Sequence, residues 1–166
     1  MHDRPLFFDT VTLANFARAD AMHLLVDRYG RRAVLTPDVL SELENGIAAG
    51  RSQLLTVEKL AADNQLATTC LTPEERQTKV PLLQSLGAGE ASCIACAIHR
   101  GGIVVTDDRT ARATCSDYGI PVTGTIGILL ALVRDGTLPS SDVDTILAEM
   151  IRQGFYSPVA SISCLL

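Results

Sequence analysis

Residues 87–99 (GAGEASCIACAIH) contain side chains that suit three different chemistries. The first is soft-metal binding by Cys93, Cys96 and His99. On a helix the two cysteines are neighbours, but His99 lies almost two turns from Cys93, a poor spacing for one tetrahedral site. A structural zinc site also needs a second ligand pair, and the sequence has no second C-x-x-C. We therefore interpret the cysteines as small core residues that let a helix approach a sheet.

The second chemistry is dinucleotide binding, because Gly87 and Gly89 resemble the start of a G-x-G-x-x-G fingerprint. Three features oppose it. Glu90 places a negative charge where the helix N-terminus would bind a pyrophosphate, the third glycine is replaced by Ser92, and residues 73–86 are predicted to form a helix instead of the required strand. We expect a helix–helix turn in which the glycines adopt positive φ, with a dinucleotide-binding oxidoreductase as the weaker alternative.

The third chemistry uses carboxylates that lie at predicted strand ends or helix starts. They are Asp9, Glu42, Glu90, Asp107 and Asp108. Each alone has an ordinary explanation as a helix cap or a solvated helix residue. Together on one rim, their like charges would raise their pKa values unless cations neutralised them. Ligands that offer only oxygen atoms indicate Mg²⁺ or Mn²⁺.

Short apolar runs alternate with helical patterns along the chain, and these elements must position the acids. Strands are predicted at residues 6–8, 33–35, 53–57, 103–106 and 120–122. Helices are predicted at residues 11–18, 21–29, 37–49, 58–66, 90–99, 109–118, 125–135 and 141–153, with a further helix starting at Thr72-Pro73. This alternation predicts an α/β fold with a parallel sheet, in which ligands bind beyond the carboxyl ends of the strands.

The chain has 166 residues, enough for one well-buried core. We predict a single domain over residues 1–155, followed by an apolar tail over residues 156–166. An edge strand, a partner surface and disorder all remain open for that tail.

Composition narrows the function classes. The net charge of −5 disfavours a nucleic-acid binder, although an acidic metal site would produce the same sign. Aromatic residues make up 4% and tryptophan is absent, so several base-stacking platforms are not expected. Five cysteines, an odd number, without a signal-peptide pattern favour a reduced, cytoplasmic setting. The longest apolar run, residues 126–133, is too short to span a bilayer, so no membrane partner is expected.

Four short motifs occur in a defined order along the chain. They are F-D-T at residues 8–10, P-x-V-x-x-E-L at 37–43, G-E-A at 89–91 and V-T-D-D-x-x-A-R at 105–112. Their order and spacing resemble the PIN-domain nucleases, including the VapC-like toxins. The later run V-T-G-T-I-G-I-L at residues 122–129 resembles one PIN subgroup in particular. The resemblance extends over residues 6–155.

The resemblance implies a Rossmann-like, three-layer α/β/α sandwich with a central, mostly parallel sheet. It also implies cleavage of single-stranded RNA with Mg²⁺ or Mn²⁺ as cofactor. The catalytic acids implied are Asp9, Glu42, Glu90 and Asp108, and the metal ligands are Asp9, Glu90, Asp108 and Asp107. Thr10 and Thr106 would support these acids with hydroxyl groups, and Arg109 and Arg112 are candidate phosphate contacts.

The chain departs from the family pattern at two points. The usual T-x-D spacing selects Asp108, but the adjacent Asp107 could share its task. Glu90 stands where many relatives carry Asp, and its longer side chain would loosen a second metal site. Chemically, Asp9 and Asp108 would hold the cation, which generates hydroxide, and Glu90 would orient or deprotonate the attacking water.

Two function classes follow from the resemblance. The first is a metal-dependent endoribonuclease that acts as the toxin of a toxin–antitoxin pair, with a small antitoxin protein as partner and a homodimer as its assembly. The second is a non-catalytic PIN-like module that binds RNA or a protein. The complete set of acids favours the enzyme.

Overall fold

Five parallel strands form the central sheet of the structure, a computed structural model that describes residues 3–166. The strands are β1 (Leu6–Phe8), β2 (Ala33–Leu35), β3 (Ala67–Thr68), β4 (Ile103–Val105) and β5 (Val122–Thr123). Their order in the sheet is β3-β2-β1-β4-β5, and every neighbouring pair is parallel. β1 therefore lies in the middle of the sheet, with β2 and β3 on one side and β4 and β5 on the other.

Nine α-helices in the described part of the chain flank this sheet. They are α1 (Thr10–Arg18), α2 (Met22–Tyr29), α3 (Pro37–Ala48), α4 (Leu55–Ala62), α5 (Pro73–Leu82), α6 (Ala88–Arg100), α7 (Arg109–Asp117), α8 (Thr125–Arg134) and α9 (Ser140–Arg152). Short 3₁₀ turns occur at Gly30–Arg32, Ser52–Leu54 and Ser163–Leu165. The result is the predicted three-layer α/β/α sandwich. No helix within residues 3–166 has both the length and the apolar character needed to cross a bilayer.

The central strands are apolar along their whole length because both faces of the sheet are covered. All three residues of β1 are buried, and Phe7 and Phe8 are 0% exposed. A sheet with one solvated face would instead alternate apolar and polar residues. The short apolar runs that predicted β1, β2 and β4 are therefore the expected signature of a buried parallel sheet.

Helix capping explains two of the predicted helix starts. The Thr36 hydroxyl accepts a hydrogen bond from the Val39 amide at 3.3 Å, and Pro37 occupies the first position of α3. At the start of α5, Thr72 and Glu75 form a reciprocal capping box. Both helix starts could be predicted because each cap forms between residues that are close together in the sequence.

The segment between α3 and α5 differs from the prediction. Residues 53–57 were predicted as a strand, but they lie in the 3₁₀ turn Ser52–Leu54 and the first turn of α4. The helix predicted over residues 58–66 begins at Leu55 and ends at Ala62. The edge strand β3 has only two residues, half-buried Ala67 and exposed Thr68, and was not predicted. A strand this short carries no readable alternation of polar and apolar side chains.

Residues after α9 fold back onto the domain. Ile162 is fully buried, and the Asp144 carboxylate on α9 accepts hydrogen bonds from the backbone amides of Ile162 and Ser163. No strand forms within residues 155–166. The division of the chain at residue 155 stays a prediction.

The cysteines of α6 are core residues, as predicted. Cys93 and Cys96 are 0% exposed, and burial raises the pKa of Cys96 to about 12 and raises that of Cys93 well above its ordinary value. His99 is exposed on the same helix and is hydrogen-bonded to the Thr78 hydroxyl. The thiols therefore stay protonated and support packing instead of metal binding.

Candidate active site

The acids follow two strands that are neighbours in the sheet. Asp9 comes directly after β1, and its amide donates to the Val105 carbonyl at 2.9 Å. Asp107 and Asp108 come after β4. Together with Glu90 they line a cleft of about 350 Å³. We call this the acidic cleft, and its walls also include Arg18 and Tyr156.

Asp9 is the most buried of these acids, at 2% exposed. The Thr106 hydroxyl donates to its Oδ2 at 3.1 Å, and this neutral donor cannot offset a full charge. Burial, followed by the negative charges of Glu90 and Glu42, raises the pKa of Asp9 to about 7. The base of the cleft therefore disfavours a negative charge and favours a cation.

Glu42 does not line the acidic cleft but is fixed next to it. Its Oε2 accepts the Thr10 hydroxyl, and its Oε1 accepts the Gly89 amide at 2.9 Å. A Cβ at position 89 would lie 2.5 Å from Glu42 Oε2, so only glycine permits this approach. The predicted positive φ is wrong: Gly87 has φ −66° and Gly89 lies inside α6. The helix–helix turn itself is present, between α5 and α6.

Glu90 lies in the first turn of α6 and is half-buried at the cleft. Its Oε2 accepts the Gly87 amide at 2.8 Å, which holds the carboxylate at the helix start. Burial raises the pKa of Glu90, and the charges of Asp108 and Glu42 raise it further against the opposing Gly87 bond. The arrangement gives a positioned carboxylate with an increased tendency to hold a proton.

The adjacent Asp107 and Asp108 have different surroundings. Asp107 is saturated with donors: Oδ1 accepts the Thr125 amide at 2.8 Å, and Oδ2 accepts the Thr125 hydroxyl and the Asn15 amide group. Asp108 is exposed, and its Oδ1 caps α7 by accepting the Ala111 amide at 2.7 Å. The hydrogen bonds engage Asp107 in joining α1 to α8, whereas Asp108 lines the cleft and its Oδ2 accepts no hydrogen bond within residues 3–166.

The two candidate phosphate-binding arginines are placed differently. Arg109 is exposed and lies outside the acidic cleft. Arg112, one turn later, donates from Nη1 to the Thr106 carbonyl at 3.0 Å and lines a second cleft next to the first. The structure therefore brings only Arg112 to the neighbourhood of the acids by a specific contact.

Three residues of the site were missed at the sequence level. Asn15 is 2% exposed and connects Asp107 to Thr125 with its amide group. Its signal was a polar residue inside the apolar helical stretch L-A-N-F-A. Arg18 and Tyr156 reach the cleft from the end of α1 and from the segment after α9, and nothing local to either predicts that position.

The ligand chemistry of the acidic cleft suits a divalent cation. The carboxylates offer only oxygen ligands, and Asp9 carries the uncompensated charge that a cation would neutralise. Within residues 3–166, no three Asp, Glu, His or Cys side chains form a group that could enclose a metal by itself. Mg²⁺ is usually held by one or two carboxylates, with water and substrate phosphate completing its shell. The donor set fits an ion of that kind.

The fold agrees with the comparison to known families. No curated protein sequence matches the chain significantly. A family model described as a PIN domain matches residues 6–166. The match covers the sheet, every acid of the cleft and the segment that carries Tyr156. The chain therefore belongs to the PIN-domain family, whose members are typically nucleases that use divalent metal ions.

Proposed function

We propose that the protein is an endoribonuclease that hydrolyses single-stranded RNA with Mg²⁺ or Mn²⁺. The observation that carries this proposal is the burial of Asp9, at the carboxyl end of the central strand, without a cationic partner among residues 3–166. A carboxylate with no functional need for its charge would be paired with a base or replaced by a neutral residue. At Asp9 the charge is retained beside two further acids.

In the proposed site Asp9 and Asp108 hold the cation, and Glu90 is a further ligand or faces the attacking water. When bound, the cation supplies an activated water and offsets charge on the phosphate. Thr106 keeps the Asp9 carboxylate in place through its hydrogen bond, and the same hydroxyl accepts the Asp108 amide at 3.1 Å. One threonine therefore sets the position of both ligands.

Glu90 is the candidate general base. Its Oε2 is occupied by the Gly87 amide, while its Oε1 accepts no hydrogen bond within residues 3–166. A carboxylate with a raised pKa accepts a proton from water more readily than an ordinary one. The negative charge of Glu42 helps to raise the pKa of Glu90. Hydrogen bonds from the Thr10 hydroxyl and the Gly89 amide fix the Glu42 carboxylate.

Asp107 is proposed as a positioning residue instead of a metal ligand. Both of its oxygens are engaged by donors from α1 and α8. Those bonds fix the turn after β4, and the turn places Asp108 at the cleft. Of the two adjacent acids, we therefore propose Asp108 as the metal ligand, which is the residue that the T-x-D spacing selects.

The experiment is an RNA cleavage assay with purified protein, single-stranded RNA and either Mn²⁺ or Mg²⁺. We expect cleavage that EDTA abolishes and that Asp9→Asn reduces by at least about 100-fold. Asp117→Asn, at an exposed acid at the end of α7, is the matched control and should cleave normally. Cleavage that persists in Asp9→Asn would contradict the mechanism. A failure to cleave varied RNAs, together with a failure to bind Mn²⁺, would favour a non-catalytic RNA- or protein-binding module.

The biological role proposed is that of a toxin in a toxin–antitoxin pair, acting in the cytoplasm as a homodimer. The resemblance to VapC-like toxins supports it, and exposed apolar residues such as Val80 on α5 and Leu83 directly after it offer surface for a protein partner. Induced expression in bacterial cells should arrest growth for the natural chain and not for Asp9→Asn. Light scattering on the purified protein measures the oligomeric state.

The geometry does not support the dinucleotide-binding alternative. The fingerprint requires a strand directly before its glycines, and α5 occupies that position. The Glu90 carboxylate also accepts the Gly87 amide that a pyrophosphate would need.

A further inference from the structure

A second cleft of about 500 Å³ lies beside the acidic cleft. The two share Asp107, Phe155 and Tyr156, so a chain of nucleotides could pass from one to the other. Arg112 and Thr123 line the second cleft and do not line the acidic cleft. Its volume lies in the range typical of sites for small organic groups.

Tyr156 stands at the junction of the two clefts and is 95% exposed. The preceding Phe155 is partly buried and packs against the core, which anchors the backbone beneath the tyrosine. A tyrosine ring left almost entirely in water contributes nothing to the core. An exposed aromatic face beside an acidic catalytic cleft is suited to stacking a nucleobase.

Arg112 is held in place but keeps most of its donors. Nη1 donates to the Thr106 carbonyl at 3.0 Å, which leaves the other guanidinium N–H groups for a ligand. It forms no ion pair within residues 3–166. The nearby Asp107 carboxylate is already satisfied by Thr125 and Asn15. A positioned cation without a carboxylate partner fits a phosphate group.

We propose that the second cleft binds the nucleotide next to the scissile phosphate of single-stranded RNA. The phosphate of this nucleotide lies against Arg112, and its base stacks on Tyr156. The inference rests on the proposed function, since it assigns a substrate subsite to the same nuclease. It also gives a physical reason for single-strand preference, because a base held within a duplex has no free face for Tyr156.

The test measures binding without cleavage. A short, fluorescently labelled single-stranded RNA is titrated with protein in EDTA and followed by fluorescence anisotropy. Tyr156→Ala should weaken binding by about 5- to 100-fold, whereas Tyr156→Phe keeps the stacking face and should bind like the natural chain. Arg112→Gln should weaken binding and lower the slope of log K against log salt by about 0.7, as expected for one lost phosphate contact on a single strand.

The chain offers matched controls for both residues. Arg76 is also an exposed arginine at the fourth position of a helix, and it also donates to a backbone carbonyl before that helix, that of Leu71. Tyr118 is an exposed tyrosine at the other end of α7. Arg76→Gln and Tyr118→Ala should leave RNA affinity and its salt dependence unchanged.

A second readout uses the absence of tryptophan. The three tyrosines, at positions 29, 118 and 156, account for the intrinsic emission of the protein near 300 nm, as expected for a chain without tryptophan. Unlabelled single-stranded RNA should quench this emission in the natural chain and in Tyr118→Phe, and should do so much less in Tyr156→Phe. An equivalent duplex should quench weakly in all three.

The outcomes separate this inference from the proposed function. If Asp9→Asn abolishes cleavage while Tyr156→Ala and Arg112→Gln bind RNA normally, the nuclease stands and the subsite is overturned. If cleavage survives Asp9→Asn while both variants lose affinity selectively, the subsite stands and the catalytic proposal fails. Absence of RNA binding by the natural chain overturns the subsite, as does equal binding of single strand and duplex.

Discussion

Asp9 and Glu75 are both nearly inaccessible to water, at 2% and 1% exposed, yet their pKa values are shifted in opposite directions. Glu75 accepts hydrogen bonds from Arg100 at 2.6 and 2.7 Å, and this pairing lowers its pKa. Asp9 receives the Thr106 hydroxyl and faces two other acids, and its pKa is raised to about 7. The chain pairs a buried carboxylate where the fold depends on it and leaves one unpaired at the cleft.

The two buried carboxylates have opposite effects on the stability of the native state. The Glu75–Arg100 pair joins α5 to α6, and Arg100 also donates to Thr69 and to the Cys70 carbonyl. It stabilises a junction between elements. Asp9 destabilises the native state at neutral pH, because a buried charge without a counter-ion is unfavourable. A cost of this kind at a cleft is typical of functional sites.

The largest effect should come from removing the charge at Asp9. Between about pH 4 and 7 the native state holds a proton on Asp9 that the unfolded state has lost, so the free energy of unfolding of the metal-free protein falls as pH rises. The total loss attributable to Asp9 is on the order of 4 kcal/mol. Asp9→Asn should flatten this part of the profile and be the more stable protein above pH 7.

Urea unfolding across this pH range in EDTA measures both proteins. Asp117→Asn should follow the natural profile, because that acid is exposed. Parallel profiles for the natural chain and Asp9→Asn would show that Asp9 is not the unpaired buried charge.

Breaking the paired carboxylate should have the next largest effect. Arg100→Met leaves Glu75 buried without its counter-charge, and we expect a loss of about 2–3 kcal/mol in the free energy of unfolding. Adding Glu75→Gln to this variant should recover part of the loss, since the stranded charge is then gone. Thermal or urea unfolding at pH 7 measures both changes.

The control for this variant is an exposed ion pair of similar geometry. Arg152 donates to Glu149 on the surface of α9. Arg152→Met should leave stability within error, because solvent screens such pairs. Equal losses in the two variants would contradict the view that burial makes the Glu75 pair important.

A bound divalent cation should offset the negative charge of Asp9, as Arg100 offsets that of Glu75. At about 10–100 times its dissociation constant, Mg²⁺ or Mn²⁺ should stabilise the natural chain by about 1–3 kcal/mol, and the gain should be larger above pH 7 than below pH 5. Asp9→Asn should lose most of this gain. Differential scanning fluorimetry at constant ionic strength detects it, and an equal gain in both proteins would place the cation elsewhere.

The smallest effect on stability separates capping from chemistry at Asp108. Asp108→Ala removes the cap of α7 and should cost about 1 kcal/mol, whereas Asp108→Asn keeps an acceptor and should cost less than about 0.5 kcal/mol. Both should lose RNA cleavage. Full activity in Asp108→Asn would reduce this residue to a helix cap.

Much of the fold could be predicted because its signals are local. The apolar runs of β1, β2 and β4 and the capping residues Thr36 and Thr72 act on their immediate neighbours, and the structure confirms them. The two-residue β3 and the 3₁₀ turn after α3 have no such signal. Their conformations are set by the elements that they join.

The site was predictable in outline and not in detail. Strand ends in a parallel sheet share one edge, which sufficed to group Asp9 with Asp108. Position 89 is a glycine because Glu42, 47 residues earlier in the chain, approaches its backbone closely. No local sequence pattern predicts this contact. The saturation of Asp107 by Asn15 and Thr125 is equally non-local. The catalytic roles of these residues stay predictions that the assays above address.

The order of the strands also has a consequence for the time at which activity can arise during synthesis. The acidic cleft draws on residues 9, 90 and 108, and its wall on residue 156, and the strands that precede Asp9 and Asp108 pair with each other although they lie far apart in the sequence. Contacts this distant in sequence form late because closing long loops is entropically unfavourable. A partly synthesised chain therefore holds its acids apart, and the complete acidic cleft forms only after nearly all of the domain has emerged from the ribosome.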